Sequence, residues 1–215
     1  MSTPSSPSAS EARAAAELDK LALAESDLKG FAVRKLKAVE VLTQHDVRTA
    51  EEDCAPLSQA EHGVAMGDPV ATAQRRVTFE FDADAIAAAG SEEELDAVFA
   101  TSHTAVTLAS YDSPDQARAV LKALRSGLAT CEGGFSSFGV DKVSTDTAPK
   151  AGDEAVAFTV TPGQDDALVG PTKAVVFRHG STIAQFGTED PSATGPTDDF
   201  EFPTALIEAQ EAKLG

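Results

Sequence analysis

Between residues 135 and 186 four β-forming runs, 135–143, 155–161, 173–178 and 182–186, follow one another with few residues between them. Successive strands with little helix between them predict an antiparallel sheet. The last two runs are joined by Arg178-His179-Gly180-Ser181, a tight hairpin in which Gly180 supplies the positive φ. Three earlier runs have the same character. Residues 31–42 alternate loosely through Val33, Leu36, Val39 and Val41, and 73–82 place Val77, Phe79 and Phe81 at period two. Residues 104–111 carry Val106 and Leu108.

Helical spacing marks the rest of the chain. Ser10 is expected to cap an opening helix bearing Leu18, Leu21 and Leu23, with Gly30 closing it. Asp53 is expected to cap a short helix with Pro56 in its first turn, and Ser91-Glu92-Glu93-Glu94 reads as a capping box for another through Ala100. The clearest helix spans 113–131. Ser113 caps it, Pro114 takes the first helical position, and Ala117, Val120, Leu121, Leu124, Leu128 and Cys131 form one apolar face. A final helix carries Leu206, Ile207, Ala209 and Leu214. The expectation is an α+β fold. A single domain over 11–215 has a central antiparallel sheet covered by helices.

Cys54 and Cys131 are the only cysteines, and no CxxC pair or zinc-ligand set accompanies them. Cys131 ends the buried face of its helix, where a bridge to the Cys54 segment would pin helix to domain. One structural disulfide is therefore expected, stabilising by roughly 4 to 5 kcal/mol on the chain-entropy view, in an oxidising, extracytoplasmic compartment. No apolar run is long enough to span a membrane. Residues 1–10 are a Ser/Pro/Thr tract that cannot bury apolar surface and is expected to be a flexible spacer. Such a spacer follows the lipidated cysteine of bacterial lipoproteins, so a signal peptide and lipid anchor are expected to have been removed ahead of it. The alternative is a cytosolic protein with a disordered start.

The formal charge is −18, from 35 acidic and 17 basic residues. Such a surface repels nucleic-acid phosphates and anionic head groups, so no nucleic-acid partner is expected, and membrane contact only through the anchor. No catalytic motif stands out. His45, His62, His103 and His179 include no pair at metal-binding helical spacing. Asp82/Asp84, Asp165/Asp166 and Asp198/Asp199 extend into no calcium loop. No metal, cofactor or catalytic residue is expected. The candidate ligand-binding residues are Tyr111, Arg125 and Arg178. Tyr111 is the lone tyrosine, at a strand-to-helix corner. Arg125 lies off the apolar helix face, and Arg178 opens a hairpin tip where positive charge is scarce.

Several short motifs together resemble a known group. They are Leu28-Lys29-Gly30-Phe31 after the first helix, Cys54-Ala55-Pro56-Leu57, and Val106-Thr107-Leu108-Ala109-Ser110-Tyr111 before the helix with Ala117 and Cys131. Gly152-Asp153-Glu154-Ala155-Val156-Ala157-Phe158, Val175-Val176-Phe177-Arg178-His179-Gly180 and the closing Ala209-Gln210-Glu211-Ala212-Lys213-Leu214 complete the set. The chain resembles actinobacterial secreted lipoproteins and, more distantly, the PknH-like extracellular sensor domains of mycobacterial receptor kinases. Those sensor domains carry two disulfides where this chain can form one. The resemblance implies an antiparallel sheet with packed helices and a ligand cleft, and it transfers no catalytic residue. The function expected is non-enzymatic binding or sensing at the outer face of the cell membrane, with a small molecule or cell-envelope protein as partner. The alternatives are a structural or protein-interaction module without a small ligand, and an undetected hydrolase.

Overall fold

The computed structural model describes residues 9–79, 90–91, 102–163, 170–190, 193, 195 and 199–215. Seven strands form one antiparallel sheet: β1 (Phe31–Lys35), β2 (Ala71–Phe79), β3 (His103–Ser110), β4 (Val140–Asp146), β5 (Glu154–Pro162), β6 (Thr172–His179) and β7 (Thr182–Glu189). Their order is β1-β2-β3-β7-β6-β5-β4, so β3 and β7 lie at the centre and β1 and β4 at the edges. The four helices among the described residues are α1 (Ala9–Leu21), α2 (Ala55–Glu61), α3 (Pro114–Thr130) and α4 (Thr204–Leu214).

Strand alternation divides the interior in two. Val156, Phe158, Val160, Ala174, Val176 and Ile183 turn to one face, where they join Leu57, Leu121 and Leu124 of α2 and α3. Ala157, Val175, Phe177, Ala184 and Phe186 turn to the other, where they meet Leu18 of α1 and Leu206 and Ile207 of α4. The sheet is therefore sandwiched. Fully burying a side chain such as Phe158 or Phe177 contributes about 1.5–3 kcal/mol. The expected α+β domain with an antiparallel sheet is what the chain forms.

The bridge joins Cys54 to Cys131 with Cα atoms 6.0 Å apart. It fastens the start of α2 to the end of α3. Ser113 caps α3 as expected, its hydroxyl accepting the Gln116 N–H. Gly180, at φ +59°, turns the β6–β7 hairpin. Gly187 has a different task. Any Cβ there would overlap the Glu61 carbonyl, so its missing side chain lets the end of α2 sit on β7.

Several expected boundaries move. β1 stops at Lys35, because Glu40 draws the chain into a 3₁₀ turn at Ala38–Glu40 by accepting the Lys37 N–H at 2.8 Å. Ser10 lies inside α1 rather than capping it. Asp53 is not a cap either: a 3₁₀ turn, Glu52–Cys54, leads into α2, and Pro56 is in the first helical turn. The strand expected from 135 begins at Val140, since Gly134 (φ +88°) and a 3₁₀ turn at Ser137–Gly139 intervene, leaving Phe135 one isolated bridge to Val140. The expected 92–100 helix, Phe81, Asp82, Asp84, Asp165, Asp166, Asp198 and residues 1–8 of the spacer lie outside the described residues.

Candidate functional site

The sandwich is not evenly covered. α1 packs chiefly on β2, and α4 leaves bare the strip of sheet beside β5 and the end of β4. A groove of about 480 Å³ occupies that strip. Ala157 and Val175 form its floor; Phe202 and Ile207 form one wall, with Ala148 and Pro149 of the β4–β5 connection opposite. Asp146, Thr147, Lys173 and Thr204 supply the polar groups. This volume and this mix of apolar wall and few polar groups are those of a small-molecule site.

The side chains that shape the groove are held firmly. Phe202 meets Phe186 edge-on at 6.4 Å, and Phe186 stacks on Phe177 at 6.0 Å. Lys173 lies mostly buried at the rim. Its ammonium pairs with the Asp199 carboxylate at 2.6 Å, donates to the Phe200 carbonyl and stands 5.1 Å from the Phe200 ring centre. That contact holds the Asp199 carboxyl below the usual range, chiefly through the Lys173 hydrogen bond. Asp146 accepts the Thr159 hydroxyl at 2.6 Å.

A second opening of about 400 Å³ shares Asp146, Ala148 and Ala157 with the first and runs around the end of β4 to α3. Arg125, Leu128 and Glu132 line its far side. The two together bend around the one stretch of β5, from Glu154 to Val156, that has β6 beside it but no β4 partner. A further opening of about 410 Å³, between α1 and β2, is crossed by the Lys35–Asp19 ion pair and offers fewer apolar walls.

The sequence-nominated residues fall into two places. Arg125 and Arg178 meet on Glu154: Arg125 Nη1 lies 2.6 Å from Glu154 Oε2, and Arg178 Nε 2.8 Å from Glu154 Oε1. Arg178 also pairs with Asp153 at 2.7 Å and donates to the Gly180 carbonyl, so its buried guanidinium is engaged within the hairpin end. Burial raises the Glu154 carboxyl, but the two guanidiniums outweigh it and the net shift is downward. Tyr111 is elsewhere and inside. Its ring is buried, its hydroxyl donates to the Met66 carbonyl at 2.6 Å, and burial pushes the phenol pKa up. Arg125 alone of the three borders the grooves.

Tyr111 belongs to a row of hooks. Side chains from the sheet seize the carbonyls of the buried segment after α2: Thr107 and Gln74 hold Gly63, and Gln185 holds Val64. Gln44 adds bonds to the carbonyls of Ala65 and Gly67. A buried loop needs such partners for its backbone. Glu61, just before it, is buried with its carboxylate 3.4 Å from His62 Nδ1. Burial pushes the Glu61 carboxyl up. For His62 burial works downward, but the Glu61 carboxylate outweighs it and the imidazole is raised. Among the described residues no three His, Cys, Asp or Glu side chains gather in a metal-binding group.

The groove residues Ala148, Ala157, Lys173, Val175, Phe202 and Ile207 were not nominated from sequence. The available signal was the pair Ala155 and Ala157, small residues at strand period two where neighbouring strands carry bulkier ones.

Fold and groove together define a disulfide-stapled α+β domain with a concave apolar site. No protein-family model matches the chain, and no curated protein matches it in sequence. Its structure is similar to the crystal structure of the extracellular domain of PknH from Mycobacterium tuberculosis, at 10% identity and a TM-score of 0.49, over 93% of each chain. At that distance the likeness transfers nothing to this chain.

Proposed function

We propose that this chain is a non-enzymatic, extracytoplasmic binding or sensing domain whose ligand is a small, largely apolar molecule held in the groove between α4 and strands β5 and β6. The observation that carries the reading is the groove: about 480 Å³, walled by Phe202, Ile207 and Pro149 and floored by Ala157 and Val175. The walls Phe202, Ile207 and Pro149 are bulky enough to wrap an apolar group above the small floor residue Ala157, while Lys173, Thr204 and Asp146 offer orienting contacts at the rim. Arg125, at the far end of the adjoining opening, is the proposed contact for any acidic end of the ligand. The extracytoplasmic placement rests on the Cys54–Cys131 bridge, since structural disulfides persist in oxidising compartments. Attachment to the outer face of the cell membrane through a lipid anchor is the proposal that accompanies the Ser/Pro/Thr composition of residues 1–10.

The fluorescent probe 1-anilinonaphthalene-8-sulfonate tests the reading, being apolar and singly anionic. The native protein should bind it saturably at one principal site with a blue-shifted emission. Thr204→Trp places an indole over the groove from an exposed position and should weaken binding by about tenfold, the scale of 1.4 kcal/mol, without lowering the melting temperature. Equal binding by the variant and the wild type would remove the groove from consideration.

A further inference from the structure

The loop that leaves β1 turns large apolar side chains into water. Val39 is 93% exposed, and Val41 and Leu42 also stand among the exposed hydrophobics. Scattered exposed apolar residues are ordinary, but three within four positions form a patch. The loop is also held in shape. The Glu40 carboxylate accepts both terminal N–H groups of Arg34, at 2.9 and 3.0 Å, and the Lys37 backbone N–H at 2.8 Å. These bonds close the turn Ala38–Glu40 and engage its only carboxylate, leaving Val39 projecting. Arg34 and the Lys37 N–H hold the Glu40 carboxyl at about 2, so the clasp is charged throughout the neutral range.

Charge around the tip runs opposite to the rest of the chain. Residues 29–48 carry Lys29, Arg34, Lys35, Lys37 and Arg48 against Glu40 and Asp46, in a protein whose net charge is −18. Lys37 is exposed, and Arg34 and Lys35 keep 51% and 67% of their side chains in solvent although each is ion-paired. Screening confines a charge's reach to about 8–10 Å at moderate salt, so a surface touching this loop meets the loop's own charges, Lys37 beside the Arg34–Glu40 and Lys35–Asp19 pairs, rather than the net charge of the whole chain.

We propose that the 36–42 loop docks the domain onto an anionic lipid bilayer, Val39 and Leu42 entering the interface while Lys37 lies among the phosphates and the paired Arg34 and Lys35 flank it. A projecting apolar tip with basic shoulders suits a deformable, negatively charged surface, in which apolar groups sink and long cationic side chains reach back to the head groups. A protein partner would need a preformed apolar pocket for Val39 with an acidic rim for Lys37. The inference is independent of the ligand groove, which lies beside β5 and α4.

Vesicle flotation of the full chain tests it, with vesicles of phosphatidylcholine alone and of phosphatidylcholine mixed equally with phosphatidylglycerol. The protein should float with the anionic vesicles at low salt, lose most of that binding at about 0.3 M salt, and ignore the neutral ones. Val39→Asp and Lys37→Glu, both at exposed positions, should each weaken binding about fivefold or more, while the groove variant Thr204→Trp floats like the wild type. The proposal is overturned if the wild type does not float, if it binds neutral vesicles equally, or if Val39→Asp floats unchanged. It is also overturned if sedimentation shows the loop pairing two copies of the chain with no vesicle binding.

Discussion

The two faces of the sheet are fastened by different means. On the α2–α3 face a covalent bridge joins the helices, and Thr107, Gln185 and Tyr111 hook the carbonyls of Gly63, Val64 and Met66 in the buried segment after α2. On the α1–α4 face the covering helices come from opposite ends of the described chain. They are tied by Gln210, whose Nε2 donates to the Leu21 carbonyl at 2.8 Å and whose Oε1 accepts the Leu23 N–H at 3.2 Å. Arg75 adds bonds to the Leu23 carbonyl and to Asp19. The first face is closed by cross-links within the middle of the chain. The second depends on two terminal helices, and it is there that coverage stops short and the groove opens. The domain thus has a cross-linked back and a concave front.

The contrast can be broken from either side. The largest effect is expected from Cys54→Ala with Cys131→Ala. The bridge closes a separation of 77 residues, worth about 4.5 kcal/mol on the chain-entropy view. Urea unfolding should show a loss of about that size, and a loss below about 1 kcal/mol would show that packing alone holds the first face. Gln210→Leu comes next. It strands the Leu21 carbonyl and Leu23 N–H, at a cost of about 2 kcal/mol, and amide exchange should quicken in α1 and α4 ahead of α3. Uniform quickening would mean that the two faces do not open separately. Tyr111→Phe removes one buried hydrogen bond to Met66 and should cost about 1 kcal/mol, with probe binding in the groove unchanged. Weakened binding would return Tyr111 to the ligand site.

The smallest effect is a slope with pH. Burial raises the Glu61 carboxyl, and the Glu61 carboxylate raises His62 against the effect of burial. Both groups hold protons more tightly folded than unfolded. Their contribution is full below their unfolded values, 4.5 and 6.5, and is lost as pH rises through the folded ones. Between about pH 5 and 8 the melting temperature of the wild type should therefore fall, and Glu61→Gln should flatten the fall. An equal slope in the variant would assign the pH dependence to other groups.

Much of the framework was legible because it depends on local pattern. Strand alternation located seven strands, five of them within three residues and the first and fourth with one end misplaced by five residues or more, and Ser113-Pro114 with the following apolar spacing located α3. The bridge was legible because Cys131 falls on the buried face of that helix. What escaped depends on which elements meet. Arg178 reads as a free cation at a hairpin tip, yet antiparallel pairing of β5 with β6 sets Glu154 opposite it, and the carboxylate captures it. Tyr111 reads as a strand-to-helix corner open to a ligand, yet its hydroxyl is taken by the Met66 carbonyl of the buried segment after α2. The groove is made by small residues and by where α4 stops, neither of which has a local signature. Glu40 ended β1 early through a side-chain bond that strand periodicity does not register.

A map of where an apolar anion touches the domain tests most directly whether the groove is a binding site. ¹⁵N-labelled protein would be titrated with 1-anilinonaphthalene-8-sulfonate and followed by amide chemical shifts. Saturable shifts are expected centred on Ala148, Ala157, Lys173, Val175, Thr204 and Ile207, while Leu121, Leu124 and Val64 on the bridged face stay fixed. Shifts centred on the bridged face, or spread evenly over the molecule, would contradict it.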